Sequence, residues 1–132
     1  MALAGLTARR FPDRAMSYMM RSLPEADLAV LGRPEIGAVF RGDAAEAYRS
    51  GSRGAAWETL MYARPWGFRL EEITMEVHLW QGEADKNVPP SMGRYQAHAI
   101  PNCRATFYPG EGHISLVVDH MEEILGSLIS QS

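Results

Sequence analysis

The sequence predicts an α/β chain in which a helical N-terminal half precedes a β-α-β-α unit with parallel strands. Three observations predict it. Before Pro65, apolar residues recur at helical spacing. After Pro65, two short β-prone runs alternate with two helical patterns. The order strand, helix, strand, helix then implies a parallel pair joined by a right-handed crossover. The change of character divides the chain into residues 1–64 and residues 65–132.

In the first part, Met16, Met19, Met20 and Leu23 line one face of a helix. Ser22 to Glu25 reads as a capping box, in which each side chain satisfies an orphan backbone N–H. A second helix passes through Leu28 and Leu31 and stops at Gly32 and Pro34. Ile36, Val39 and Phe40 mark a third, running on toward Tyr48. Gly51 and Gly54 break the pattern. Trp57, Leu60 and Met61 suggest a fourth, ended by Pro65. The apolar residues at these spacings are expected to line a core.

In the second part, Val77 to Trp80 is the first β-prone run, and a loop follows through Gly82 to Pro90. Ser91 to Ala99 reads as a helix ended by Pro101 and Asn102. Ala105 to Tyr108 is the second β-prone run, stopped by Pro109 and Gly110. Ile114 to Ile129 is the strongest helical pattern, with Val117, Met121, Ile124, Leu125 and Leu128 at core spacing.

Composition narrows the function. The 132 residues are 46% hydrophobic and 22% charged, as in an ordinary globular domain. A net charge of -3, with scattered basic residues, argues against a nucleic-acid partner. No apolar run approaches the length of a membrane span, and Met1 to Leu6 lacks the basic start of a signal peptide. Cys103 is the one cysteine, so no intramolecular disulfide forms and a reducing, cytoplasmic setting is expected.

Chemistry concentrates in two loops. In open α/β sheets, ligands sit outside the carboxyl ends of the strands. Gly82-Glu83-Ala84-Asp85 and Gly110-Glu111-Gly112-His113 both leave strands at that edge. An aspartate and a histidine delivered there can pair, the carboxylate fixing the imidazole tautomer and stabilising the imidazolium. The other ring nitrogen then takes a proton from a nucleophile or a water. Glycines beside both residues permit tight turns and close approach.

These stretches resemble the α/β-hydrolase family. Trp80-Gln81-Gly82-Glu83-Ala84-Asp85, followed by Val88-Pro89-Pro90, is similar to the family's acid loop. Ile100-Pro101-Asn102, then Tyr108-Pro109-Gly110-Glu111-Gly112-His113, is similar to its histidine loop. The order acid then histidine fits as well. The resemblance covers about Pro65 to Leu128. It implies a partial α/β-hydrolase fold, with residues 1–64 as a helical cap-like region and Asp85 and His113 as catalytic acid and base. Arg64-Pro65-Trp66-Gly67-Phe68 resembles the return from cap to core. The implied substrate is a small molecule with an ester, amide, epoxide or halide to cleave.

One part of the family pattern is missing. No Gly-x-Ser-x-Gly occurs, and the nearest approach is Ser50-Gly51-Ser52-Arg53-Gly54. Ser52 precedes Asp85 and His113 in the expected order, yet a nucleophile elbow needs a buried strand before it. Ala44 to Arg49 reads instead as a polar helix. Ser52 therefore reads as part of a loop between helices. The expectation is a C-terminal hydrolase fragment, not competent alone, whose partner is the missing N-terminal segment or a second copy. The alternative is a non-catalytic module kept for binding or oligomerisation. Glu83 and Glu111 read as solvated, Asp119 and His120 as an exposed helix pair, and Cys103 as a small buried side chain. His78 and His98 lack metal-ligand spacing, so neither metal nor cofactor is expected.

Overall fold

A computed structural model describes residues 20–51 and 53–129. Met16, Met19 and Ser52, named above, lie outside the described residues. The chain forms two compact units. Among the described residues, one contains 20–22 and 31–68; the other contains 23–30 and 69–129.

Five helices and two strands are present among the described residues, in the order α1 (Glu25–Leu31), α2 (Pro34–Ala47), α3 (Arg53–Tyr62), β1 (Val77–Gly82), α4 (Pro90–Ala99), β2 (Cys103–Tyr108) and α5 (Ser115–Ile129). A single 3₁₀ turn at Leu70–Glu72 precedes β1.

In the first unit, Pro34 opens α2 at a position whose N–H would be an orphan in any case. Gly37 is buried because the carbonyl of Leu31 lies 2.6 Å from where its Cβ would stand. Gly51 turns the chain with φ at +97°, the left-handed conformation that glycine adopts without steric cost. Gly54, expected to break the helix, lies inside α3 instead. One glycine costs a helix only about 1 kcal/mol, too little to override nine other helical residues. The apolar spacing of Trp57, Leu60 and Met61 does mark that helix, but all three are more than half exposed. A helical period identifies a face without supplying what covers it.

In the second unit, β1 and β2 pair in parallel. The register runs from Val77 opposite Cys103 to Gly82 opposite Tyr108. Both strands extend beyond the β-prone runs, β1 through Gln81 and Gly82 and β2 back to Cys103. Ladder hydrogen bonds, not propensity, hold those added positions. Cys103 is half-buried, so its expected full burial does not occur. The crossover is α4, entered at Pro89 and Pro90. It packs close to β1 at one point, where buried Gly93 leaves room for the Gln81 side chain.

The expected core of α5 is realised only in part. Ser115 and Leu116 are buried and Ile124 is half-buried. Val117, Met121, Leu125 and Leu128 remain 41–49% exposed. Two strands present too little sheet to cover a four-turn helix, so much of the apolar stripe stays open.

Close packing is sharpest where the strands end. Any Cβ at Gly82 would run into the carbonyl oxygens of Glu111 and Gly112, both backbone atoms with little freedom to yield. Gly82→Ala is therefore expected to cost about 2–3 kcal/mol, as overpacking does. Gly126→Ala, with open space around its α-carbon, should instead gain up to about 1 kcal/mol. Urea unfolding checks both, the midpoint falling for the first and rising for the second at unchanged slope.

Candidate active site

The parallel pairing brings the two loops to one sheet edge. Backbone bonds then stitch them together. The N–H of Glu83 donates to the carbonyl of Tyr108 at 2.9 Å, and that of Ala84 to Glu111 at 2.8 Å. Gly82 allows this approach, since a Cβ there would occupy the space of the Glu111 and Gly112 carbonyl oxygens, whereas a Cβ at Gly112 would meet the Asp27 carboxyl group. Gly110 makes the turn out of β2 with φ at +83°.

Asp85 and His113 meet across this seam. Oδ2 of Asp85 lies 2.9 Å from Nδ1 of His113. The carboxylate is 7% exposed at the residue level, whereas the imidazole side chain is 46% exposed. Oδ1 of Asp85 accepts the N–H groups of Asn87, at 2.7 Å, and Val88, at 2.9 Å. Those two bonds fix the carboxyl plane and aim Oδ2 at the ring. Gln81 supports the same loop from beneath. Its buried amide donates to the carbonyls of Gly82 at 3.0 Å and Val88 at 3.2 Å, and to Oδ2 of Asp85 at 3.4 Å. An ionised carboxylate only accepts, so Nδ1 carries the proton and Nε2 keeps a lone pair. The arrangement can therefore accept a proton at Nε2 and stabilise the resulting cation.

Asp27 completes the site from α1 and was not singled out by the sequence. It is fully buried. Its Oδ2 accepts the N–H of His113 at 3.1 Å, and its Oδ1 those of Ile114 at 2.9 Å and Ser115 at 2.8 Å. Ser115 Oγ accepts the N–H of Gly112 at 2.8 Å. A signal for this was present in the sequence. Ile114 stands just before α5 and has no side-chain acceptor, so the first N–H groups of that helix need a partner from elsewhere. Nothing local identified Asp27, 86 residues from His113, as that partner.

A second cluster lies beside the loop. His120 sits between two carboxylates, 3.2 Å from Glu123 and 3.4 Å from Glu111. The Tyr108 hydroxyl donates to Glu123 at 2.7 Å, and its ring packs on His120 with centroids 4.3 Å apart. Glu111 is thus half-buried, not solvated as expected, and its Oε2 has no hydrogen-bond partner among the described residues. His120 is half-buried too, instead of the exposed residue expected. Glu83 is exposed and pairs with Arg94. His78 pairs with Glu76 at 2.8 Å and stacks on Trp80. Among the described residues no group of three His, Cys, Asp or Glu could hold a metal ion, and no helix is long and apolar enough to cross a membrane.

The second cluster has a pH signature. Hydrogen bonding to Glu123, and then to Glu111, holds His120 above its ordinary 6.5. The bonds from Tyr108 and then His120 hold Glu123 below its ordinary 4.5. Burial, followed by the bond to Glu123, pushes Tyr108 up to about 12. A raised histidine stabilises the fold fully below its unfolded value and loses that contribution as pH rises through the folded one. A lowered carboxylate contributes above its unfolded value and loses this as pH falls. The cluster is therefore most stabilising between about pH 5 and pH 6.5. The stability difference between the wild type and His120→Ala should shrink as pH rises from about 6 to about 9. Urea midpoints across that range measure it, and a difference independent of pH would contradict the assignment.

Comparison with family models, with curated proteins and with solved structures finds no match to this chain.

Proposed function

We propose that Asp85 and His113 are the acid and base of an α/β-hydrolase-type site, and that the chain is the cap and final strands of such an enzyme. The observation that carries the reading is the 2.9 Å contact from Asp85 Oδ2 to His113 Nδ1. Its supporting detail is the orientation of Asp85 by two backbone N–H groups. A carboxylate tied down on one oxygen and presented to imidazole on the other is what a general base requires.

In the intact site, Nε2 of His113 takes the proton from a serine hydroxyl, or from a water attacking an ester intermediate. The imidazolium is stabilised by Asp85 and returns the proton to the leaving group. The nucleophile and the oxyanion donors come from a segment other than the described residues. The substrate class stays that of the family resemblance: an ester, amide, epoxide or halide.

A second reading is a non-catalytic module that binds another chain. The four residues of the open stripe on α5 favour it, together with the outer edges of a two-stranded sheet, unpaired among the described residues. Such edges and stripes invite pairing with further protein, here a second copy of this chain.

The natural gene product, its mass determined intact, should hydrolyse a chromogenic short-chain ester. His113→Ala should reduce turnover by at least about 10³-fold, and Asp85→Asn by about 10⁴-fold through the wrong tautomer. Turnover unaffected by either change would remove the catalytic reading. Sedimentation of the isolated chain separates the second reading, which expects self-association; a compact, stable monomer would contradict it.

A further inference from the structure

The carboxylate of Asp27 holds the backbone of the residue that carries the base. We propose that Asp27 is a positioning residue for His113, one that sets the contact between His113 and Asp85 as well as capping α5. The proposal rests on the reading of Asp85 and His113 as an acid–base pair.

The imidazole of His113 is 46% exposed. A half-exposed ring has little packing to fix its rotamer, so its direction depends on where its backbone is held. That backbone is held from two sides. On one side, Glu111 accepts the N–H of Ala84, and Gly112 abuts Gly82. On the other, Asp27 takes three successive N–H groups, from His113, Ile114 and Ser115. With the bond from Gly112 to Ser115, four consecutive N–H groups are engaged, all converging at the start of α5. Successive N–H groups of this kind form a concavity that suits an anion, and Asp27 fills it.

The contact with Gly112 shows how tight the fit is. A Cβ at Gly112 would stand on the Asp27 carboxyl group. Asp27 thus determines how near the loop comes to α1, and thereby where His113 sits relative to Asp85. A buried carboxylate with no cationic partner among the described residues gains its compensation from these N–H groups and from the positive end of the α5 dipole. The arrangement also has a chemical consequence. The N–H groups at the start of α5 are consumed by Asp27, so they are not the donors that stabilise an oxyanion.

Asp27→Asn keeps the shape but replaces one acceptor oxygen by an NH₂ group that faces a backbone N–H. A purely stabilising cap predicts a lower urea midpoint and an unaltered His113. A positioning role predicts a change at the imidazole in protein that is still folded. Proton and nitrogen NMR of the full chain distinguishes these through the downfield Nδ1–H signal and the ring tautomer of His113. In the unsubstituted protein the signal should be present, and Asp85→Ala should abolish it. Folded Asp27→Asn should lose most of that signal and move His113 toward the Nε2–H tautomer. Persistence of the signal in folded Asp27→Asn overturns the positioning role and leaves the acid–base reading intact. Its absence from the unsubstituted protein, or indifference to Asp85→Ala, overturns both. If Asp27→Asn does not fold, Asp27→Glu, which keeps both acceptor oxygens but moves them by one methylene, decides through the same signal. Weakening of the His113 Nδ1–H signal in folded Asp27→Glu supports the proposal, and an unchanged signal refutes it.

Discussion

The structure of the second unit depends on the close approach of two loops at the carboxyl ends of β1 and β2. Everything at the candidate site follows from the seam between Gly82 and the Glu111-Gly112 peptide. Parallel pairing sets the strand ends level, from Gly82 opposite Tyr108. The absent side chain at 82 lets the backbones touch, and that at 112 admits the Asp27 carboxyl group. Two N–H···O=C bonds then lock the acid loop onto the histidine loop. Only with that seam closed does an aspartate on one loop reach an imidazole on the other.

Apart from Oε2 of Glu111, the buried side-chain polar groups of this region have their partners among the described residues. Asp85, Gln81, Asp27 and Ser115 are all buried, and each makes hydrogen bonds that satisfy loop or helix-end backbone. Buried polar groups are costly unless bonded in this way. The loops are thus ordered by side chains that serve as backbone partners, and not by an apolar core. That core is thin: Val30, Ile100 and Leu116 are the buried hydrophobic residues of the second unit among those described. The Tyr108, His120 and Glu123 cluster extends the same pattern onto α5, where charge-assisted bonds tie the end of β2 to the helix that follows.

The exposed apolar residues have a different cause. A two-stranded sheet lacks the area to cover α5, and the helical face marked by Trp57, Leu60 and Met61 is left open as well. Their spacing was legible in the sequence because periodicity depends on neighbours along the chain. Burial depends on what lies opposite, and the sequence pattern carries no information about that. The same distinction explains Gly54, whose intrinsic tendency to break a helix was outweighed by the residues around it.

The sequence by itself determined the local elements of the second part and the identity of the paired loops. The β-prone runs, the helix between them and the helix after them stand where their patterns placed them, within a few residues. Asp85 and His113 were identified because turn glycines and strand ends are local signals, and parallel order brings strand ends together. Only the tertiary structure decided what holds His113 in place. Asp27 comes from a helix 86 residues away, and the one local hint was that α5 begins without a cap of its own. Only the tertiary structure, likewise, decided that Glu111 and His120 belong to one half-buried cluster. The physical reason is common to both. Backbone propensity acts over a few residues, whereas a buried carboxylate finds its N–H partners wherever the folded chain brings them.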